Sequence, residues 1–224
     1  MHFTSTLCAT ALVVVGSFST GRAQETGVQF GPKIGMNLSV LDGQLNSSAQ
    51  FKPGLAAGAF LRWRPSAGVA LQPELLFSQQ GTSNKLDFGG YPAENKIKLN
   101  YLNIPVMLKI YLGSVFNVQV GPQVGILLSG RRVGQSSYFS NSGVSGYRTE
   151  DVDVKSSYKG DFAVCGGFGV DLPNGLLASV RLNYGVTDID NDAASIALRK
   201  VLKLDGLHNR TIEFSVGYAL GSRK

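Results

Sequence analysis

The stretch Val115-Phe116-Asn117-Val118-Gln119-Val120-Gly121-Pro122-Gln123-Val124-Gly125-Ile126-Leu127-Leu128-Ser129 is apolar at every even position from Phe116 to Leu128, except for a proline. Its odd positions from Asn117 to Gly125 are glycine or an uncharged polar residue. Side chains alternate across a strand, so this period of two predicts a β-strand with one greasy and one polar face. Seven more stretches repeat the pattern. Residues 28–40 carry Val28, Phe30, Ile34, Met36, Leu38 and Val40 in phase, and residues 54–64 carry Leu55, Ala57, Ala59, Leu61 and Trp63. The others are 69–80, 97–112, 161–172, 176–187 and 210–220. In the 97–112 stretch, Ile97 and Leu99 are apolar on the opposite parity from Leu102 to Ile110, which predicts a bulge there.

The connections sort by length. Residues 65–68, 113–114 and 173–175 form short turns, whereas 41–53, 81–96, 130–160 and 188–209 form long polar loops. Short and long connections alternate, so all the short turns fall on one side. Beyond residue 23 no run reaches the roughly 18 apolar residues of a membrane helix. A closed barrel is then the only membrane-spanning option, because each backbone group pairs with a neighbouring strand. These observations together predict an all-β fold, an eight-stranded antiparallel up-and-down transmembrane β-barrel with its short turns in the periplasm.

Alternation alone does not say which face meets lipid. A soluble lipocalin-like ligand-binding barrel would turn the same apolar face inward. The aromatics decide for the membrane. Phe30, Trp63, Phe116 and Tyr218 fall near one margin of the apolar face, and Phe77, Phe162 and Tyr184 near the other, as in the two girdles of a lipid-facing surface. The polar face holds Lys33, Arg62, Arg64, Lys109 and Arg181 against Glu74, Asp161, Asp171 and Glu213, charges that can pair inside. Pro32, Pro73, Pro105 and Pro122 lie within strands and each removes a ladder donor, which local bulges could absorb. Gly31-Pro32-Lys33-Ile34-Gly35 and Gly121-Pro122-Gln123-Val124-Gly125 echo one another at matching parity.

Ahead of the barrel, residues 7–18 form an apolar stretch too short to span a bilayer as a helix. With Gly21-Arg22-Ala23 following, residues 1–23 read as a signal peptide cleaved near Ala23, despite the absence of Lys or Arg before the apolar stretch. The 24–224 segment is then the barrel domain, with a net charge falling from +6 to +5 as Arg22 leaves. Cys165 remains the lone cysteine of that segment, so no internal disulfide is expected. The basic residues are scattered, with no run or basic helix, which argues against nucleic acid and suits a surface rich in lipid phosphates.

Several of these segments resemble a known family. Leu71-Gln72-Pro73-Glu74-Leu75-Leu76-Phe77-Ser78-Gln79-Gln80-Gly81 and Leu99-Asn100-Tyr101-Leu102-Asn103-Ile104-Pro105-Val106, with Lys109, resemble the third- and fourth-strand motifs of the PorT-like outer-membrane β-barrel family of Gram-negative bacteria. Gly121-Pro122-Gln123-Val124-Gly125 and residues 213–218 are similar to later segments of that family. The resemblance implies a small barrel in the bacterial outer membrane and makes the strand prolines a family trait. A role in secretion or gliding does not follow from these motifs. One departure is the tail 221–224, which extends beyond Leu220 where such barrels end near an aromatic residue.

Catalytic and metal chemistry find little support. His208 lies near Asp205 and Ser195 in sequence, but a Ser/His/Asp site requires geometry that proximity does not supply. Glu150, Asp151 and Asp153 could hold calcium, although a solvated charge run is the plainer reading. Cys165 and a lone histidine make no zinc site. Gly166-Gly167-Phe168-Gly169 lacks the Lys-Ser/Thr of a phosphate loop; its glycines leave room for bulky lumen neighbours. Eight strands enclose little more than side chains, which disfavours a narrow porin-like channel. No catalytic residue, cofactor or metal site is expected. The remaining function is structural or interactive, toward outer-membrane lipids and lipopolysaccharide or a surface protein reached by the loop 130–160. That loop holds Tyr138, Phe139, Tyr147 and Tyr158 in a Ser/Gly background suited to adaptable contact, and its plainer reading is a solvated loop. Residues 192–204 admit either a short helix or a strand extension.

Overall fold

The structure is a computed structural model and describes residues 26–43, 49–88, 91–140 and 143–221. The predicted signal peptide lies outside the described residues. Eight strands form a closed antiparallel ring. β1 (Gly27–Asp42) pairs with β3 (Lys52–Ser66), β3 with β4 (Val69–Phe88), and β4 with β5 (Tyr91–Leu112). β5 pairs with β6 (Phe116–Ser140), which passes the ladder to β8 (Asp161–Asp171) and β9 (Leu176–Gly185). Finally β9 pairs with β10 (His208–Tyr218), and β10 closes on β1 from Lys33↔Gly217 to Asp42↔His208. Two strands stand outside the ring: β2 (Ala49–Gln50) on β4, and β7 (Gly143–Asp153) on the far half of β6.

The wall has the predicted orientation. Ile34, Val120 and Val216 are 61%, 47% and 46% exposed, whereas Glu74 and Arg181 are 3% and 2% exposed. A soluble barrel would show the reverse. All nine charged residues assigned to the polar face are buried inside, and all seven girdle aromatics are exposed outside. No helix among the described residues is long and apolar enough to cross a membrane.

Long loops depart from expectation. Residues 81–96 are the outer half of a β4–β5 hairpin, paired in register to Phe88↔Tyr91. Likewise, 130–160 is not a loose loop: β6 continues to Ser140 and returns as β7, which places Glu150, Asp151 and Asp153 on a strand. The alternation fades there because both faces of a sheet beyond the bilayer can meet water, while backbone pairing continues regardless. In 188–209 the ambiguity resolves to a helix, α1 (Ala193–Val201), whose N-cap Asp192 accepts a 3.1 Å hydrogen bond from the Ala194 N–H.

A register shift does occur in the β5–β6 ladder at Asn100/Tyr101, with Leu128 of β6 the extra residue. It does not carry Leu99 to the lipid side, since Leu99 is fully buried within the barrel. Pro32, Pro73, Pro105 and Pro122 need no bulges. Ladder pairing lapses beside each one and resumes in step, as between Pro105↔Gln123 and Leu108↔Val120, or between Phe60↔Glu74 and Trp63↔Leu71. The glycine of each Gly-Pro pair sits against the neighbouring strand. A Cβ on Gly31 would lie 1.8 Å from the Tyr218 carbonyl oxygen, and one on Gly121 would lie 2.0 Å from that of Val106. This close approach gives the echoed Gly-Pro segments a structural reason.

Val120→Arg, at a lipid-facing position, should destabilise the barrel by about 2–4 kcal/mol in reversible unfolding from vesicles. Val152→Arg, on β7 beyond the ring, should change stability by no more than about 0.5 kcal/mol.

Candidate functional site

The polar faces of eight strands converge on a narrow lumen, filled in layers. At the periplasmic end Phe60, Leu177 and Ala219 form an apolar cluster. Beside it the Arg64 guanidinium stacks 3.7 Å over the Tyr111 ring, and Tyr111 donates a 2.7 Å hydrogen bond to Asp171. Asp171 also faces Lys109 at 3.2 Å and Arg62 at 3.3 Å.

Above this lies the central network. Glu74 of β4 receives Lys33 Nζ from β1 at 2.8 Å and both terminal nitrogens of Arg181 from β9, one of them at 2.7 Å. Gln72 donates to Glu74 at 2.7 Å, and Arg181 Nε donates to Gln119 at 2.9 Å. Lys33 reaches Glu213 of β10 as well, at 2.8 Å. Five strands are thereby tied across the lumen. The cavity among Lys33, Gln72, Lys109, Asp171 and Arg181 measures about 10 Å³, space for one water. No open path is left for a solute at this level.

The extracellular end is closed by apolar contacts that the sequence reading did not assemble. Leu41, Leu99, Tyr101, Ile189 and Leu207 form a buried cluster, flanked by Ile97, Leu127 and Tyr158. Ile97 and Leu99 broke the alternation because they point inward where the lumen turns apolar. Ile189 and Leu207 complete the patch, and nothing in the sequence set them apart from the other large apolar residues of the last loop, Ile196, Leu198, Val201, Leu202 and Leu204. The loop is a lid fastened at both ends. The Ile189 carbonyl accepts from the Lys159 N–H at 3.0 Å, and Asn191 donates to the Ser156 carbonyl at 2.9 Å. Arg199 of α1 meets Asp190 at 3.2 Å and donates to the carbonyls of Asp205 and Gly43. Burial in this rim pushes the Tyr158 hydroxyl up to about 12. Partial burial disfavours the Asp188 carboxylate, but the N–H groups of Asp190 and Leu207, at 3.0 and 2.9 Å, hold its pKa below the ordinary value.

The residues weighed for chemistry do not converge. His208 Nδ1 lies 2.9 Å from the Thr187 carbonyl, Ser195 donates to Asp190, and Asp205 contributes its backbone carbonyl to Arg199. Cys165 is buried with its thiol 3.7 Å from Gln123. Asp151 pairs with Arg131 at 2.8 Å, and Asp153 accepts from the Lys155 N–H. No group of three His, Cys, Asp or Glu residues placed to hold a metal occurs among the described residues. A Cβ on Gly167 would strike the Val180 carbonyl oxygen, and one on Gly169 would lie 3.1 Å from the lumen side chains of Asn117 and Gln119, so glycines of that segment serve strand approach as well as lumen space. The side chains of Tyr138, Phe139 and Tyr147 lie outside the described residues.

Glu74→Gln should cost about 3 kcal/mol or more, because it strands two buried cations. The triple change Lys33→Met, Glu74→Leu, Arg181→Met should recover much of that loss in the same unfolding assay. The lid should respond to acid. A depressed carboxyl stabilises the folded form above the ordinary aspartate pKa near 3.8 and ceases to as pH falls through its lower folded value. Protection of the Ile189 and Leu207 amides, measured against their intrinsic exchange rates at each pH, should therefore be constant near pH 6 and fall below about pH 4.

Comparison with known protein families agrees with this architecture. A family model described as outer membrane protein beta-barrel domain matches residues 22–191. No curated protein matches the sequence. Among solved structures, Neisserial surface protein A is 10% identical with a TM-score of 0.49, covering 86% of this chain and 98% of its own. Ail, the attachment invasion locus protein of Yersinia pestis, is 11% identical with a TM-score of 0.43, covering 88% and 99%. The translocator domain of the autotransporter NalP from Neisseria meningitidis is 10% identical with a TM-score of 0.39, covering 86% and 88%.

Proposed function

The chain belongs to the outer membrane protein beta-barrel domain family, and on that footing we propose that it serves the outer membrane as a non-enzymatic interaction protein. The observation that carries this reading is the contrast between a plugged interior and a built exterior. The lumen is blocked at three levels, yet β4, β5, β6 and β7 continue as a four-stranded sheet beyond the lid. A rigid sheet presents side chains with less ordering cost than a loose loop, which favours recognition of a surface or envelope protein. A narrow porin-like channel is the weaker reading, given a central cavity the size of one water. The scattered partners of Ser195, Asp205 and His208 support a protein without catalytic activity.

Three finer assignments go with this reading. The motifs at 71–81 and 99–106 support membership of the PorT-like branch of small barrels. Export follows removal of residues 1–23, which N-terminal sequencing of the membrane-extracted protein would read as a start at Gln24. Outer-leaflet lipids, including lipopolysaccharide, are the partners the barrel meets by position.

The test removes the outer part of the hairpin, residues 135–148. The shortened protein should still migrate as a heat-modifiable barrel but lose the crosslinks that the full chain forms on intact cells. Unchanged crosslinks would contradict the reading. Planar bilayers containing the full chain should show no conductance steps.

A further inference from the structure

The outward face of the β5–β6 extension carries a charge arrangement that fold stability does not explain. Lys98 of β5 and Arg131 of β6 are direct register partners in an antiparallel ladder, so their side chains leave the same face of the sheet. Like charges placed directly opposite destabilise a strand pair. Both residues are exposed. Arg131 has a carboxylate, Asp151, at 2.8 Å on its β7 side, and Asp153 is its register partner there. Lys98 has no carboxylate within ion-pair distance among the described residues. Its partner on β4 is Gly81, where a Cβ would come within 1.9 Å of the Ile97 carbonyl oxygen, so no side chain can occupy that flank. Lys96 follows two residues on, on the same face, and the positive field of Lys96 and Lys98 reaches Lys52 on β3.

The height of this pair on the wall identifies what it meets. Asn100 and Ser129, the next outward pair toward the membrane, hydrogen bond to each other at 2.8 Å, and Leu128 and Ile126 below them are exposed members of the lipid-facing band. Lys98 stands about 13 Å along the strand from Leu102 by the usual rise per residue. On a tilted strand this is the depth of outer-leaflet headgroups, where long basic side chains extend from an apolar surface to phosphate.

We propose that Lys98 and Arg131 form a headgroup site for a phosphorylated outer-leaflet glycolipid, with the phosphate between the two cations and the acyl chains against Leu102, Ile126 and Leu128. The inference rests on the membrane reading above and adds the residues that select the lipid. The Asp151 carboxylate keeps Arg131 oriented along the sheet, while Lys98 supplies the uncompensated charge.

The test is native mass spectrometry of the detergent-extracted full barrel titrated with diphosphoryl lipid A and with the same lipid after enzymatic removal of its phosphates. The wild type should retain the phosphorylated lipid about tenfold better, as expected for charge-assisted hydrogen bonds. Lys98→Gln with Arg131→Gln should abolish that preference, and Lys98→Arg should preserve it. Lys200→Gln on the exposed side of α1, with Lys203→Gln in the turn that follows it, should leave it intact. Should the double change prevent folding, Lys98→Gln alone provides the comparison. Equal retention of both lipids by the wild type, or an undiminished preference in the Lys98→Gln protein, would overturn the site. Heat-modifiable migration, read on the same samples, reports the barrel itself and separates loss of the site from failure of the membrane reading.

Discussion

Inside a hydrocarbon layer no water is present to satisfy a peptide N–H or carbonyl, so every strand must have two neighbours. The ladder between β1 and β10 meets that demand and fixes the rest of the molecule. Once eight strands close, their diameter is set, and the enclosed space accommodates side chains and little else. One face of each strand must then be greasy for the lipid, and the other must fill a tube with whatever remains. The lumen is polar by geometric necessity.

Filling a narrow tube with polar groups creates its own requirement. Isolated buried charges are costly, whereas paired and hydrogen-bonded ones are tolerated. Glu74 answers this by receiving Lys33 and Arg181 from distant strands, and Asp171 repeats the device with Lys109 and Arg62 lower down. Such cross-lumen ties also set strand register, because a one-residue slip would send each partner into lipid. The ends follow a different logic. Toward the extracellular side the lumen widens into a rim capped by Ile189 and Leu207 over Leu99 and Leu41, which gives the last loop a defined seat. Pro32, Pro73, Pro105 and Pro122 show how far the ladder can be thinned, since its register survives beside each of those four.

Most of the ring was legible in the sequence, because a lipid-facing wall forces a strict period of two. Residues 28–40 and 115–129 announced β1 and β6 within a few residues at each membrane-crossing part. Legibility stopped where the lipid stops. Beyond it the β4–β5 and β6–β7 hairpins lose the alternation while keeping their hydrogen bonds, and polar composition there resembled loops. The interior plug was hidden for a related reason. Tyr101, Leu99 and Ile189 meet only through barrel closure, and a parity break at Ile97 and Leu99 fits a bulge and an inward apolar patch equally well in one dimension. The ionic interior fared better, because charge sign and strand phase sufficed to place Lys33, Glu74, Arg181 and Glu213 inside without knowing who pairs with whom.

The central claim is the orientation of the wall, greasy outside and charged within, and site-directed spin labelling of the folded protein in vesicles tests it most directly. In a Cys165→Ser background, labels at Ile34, Val120 and Val216 should relax with lipid-soluble oxygen and resist a water-soluble nickel chelate. Labels at Asn37, Gln119 and Ser215 should resist both. Nickel-accessible labels at the first set, together with oxygen-accessible labels at the second, would contradict the account.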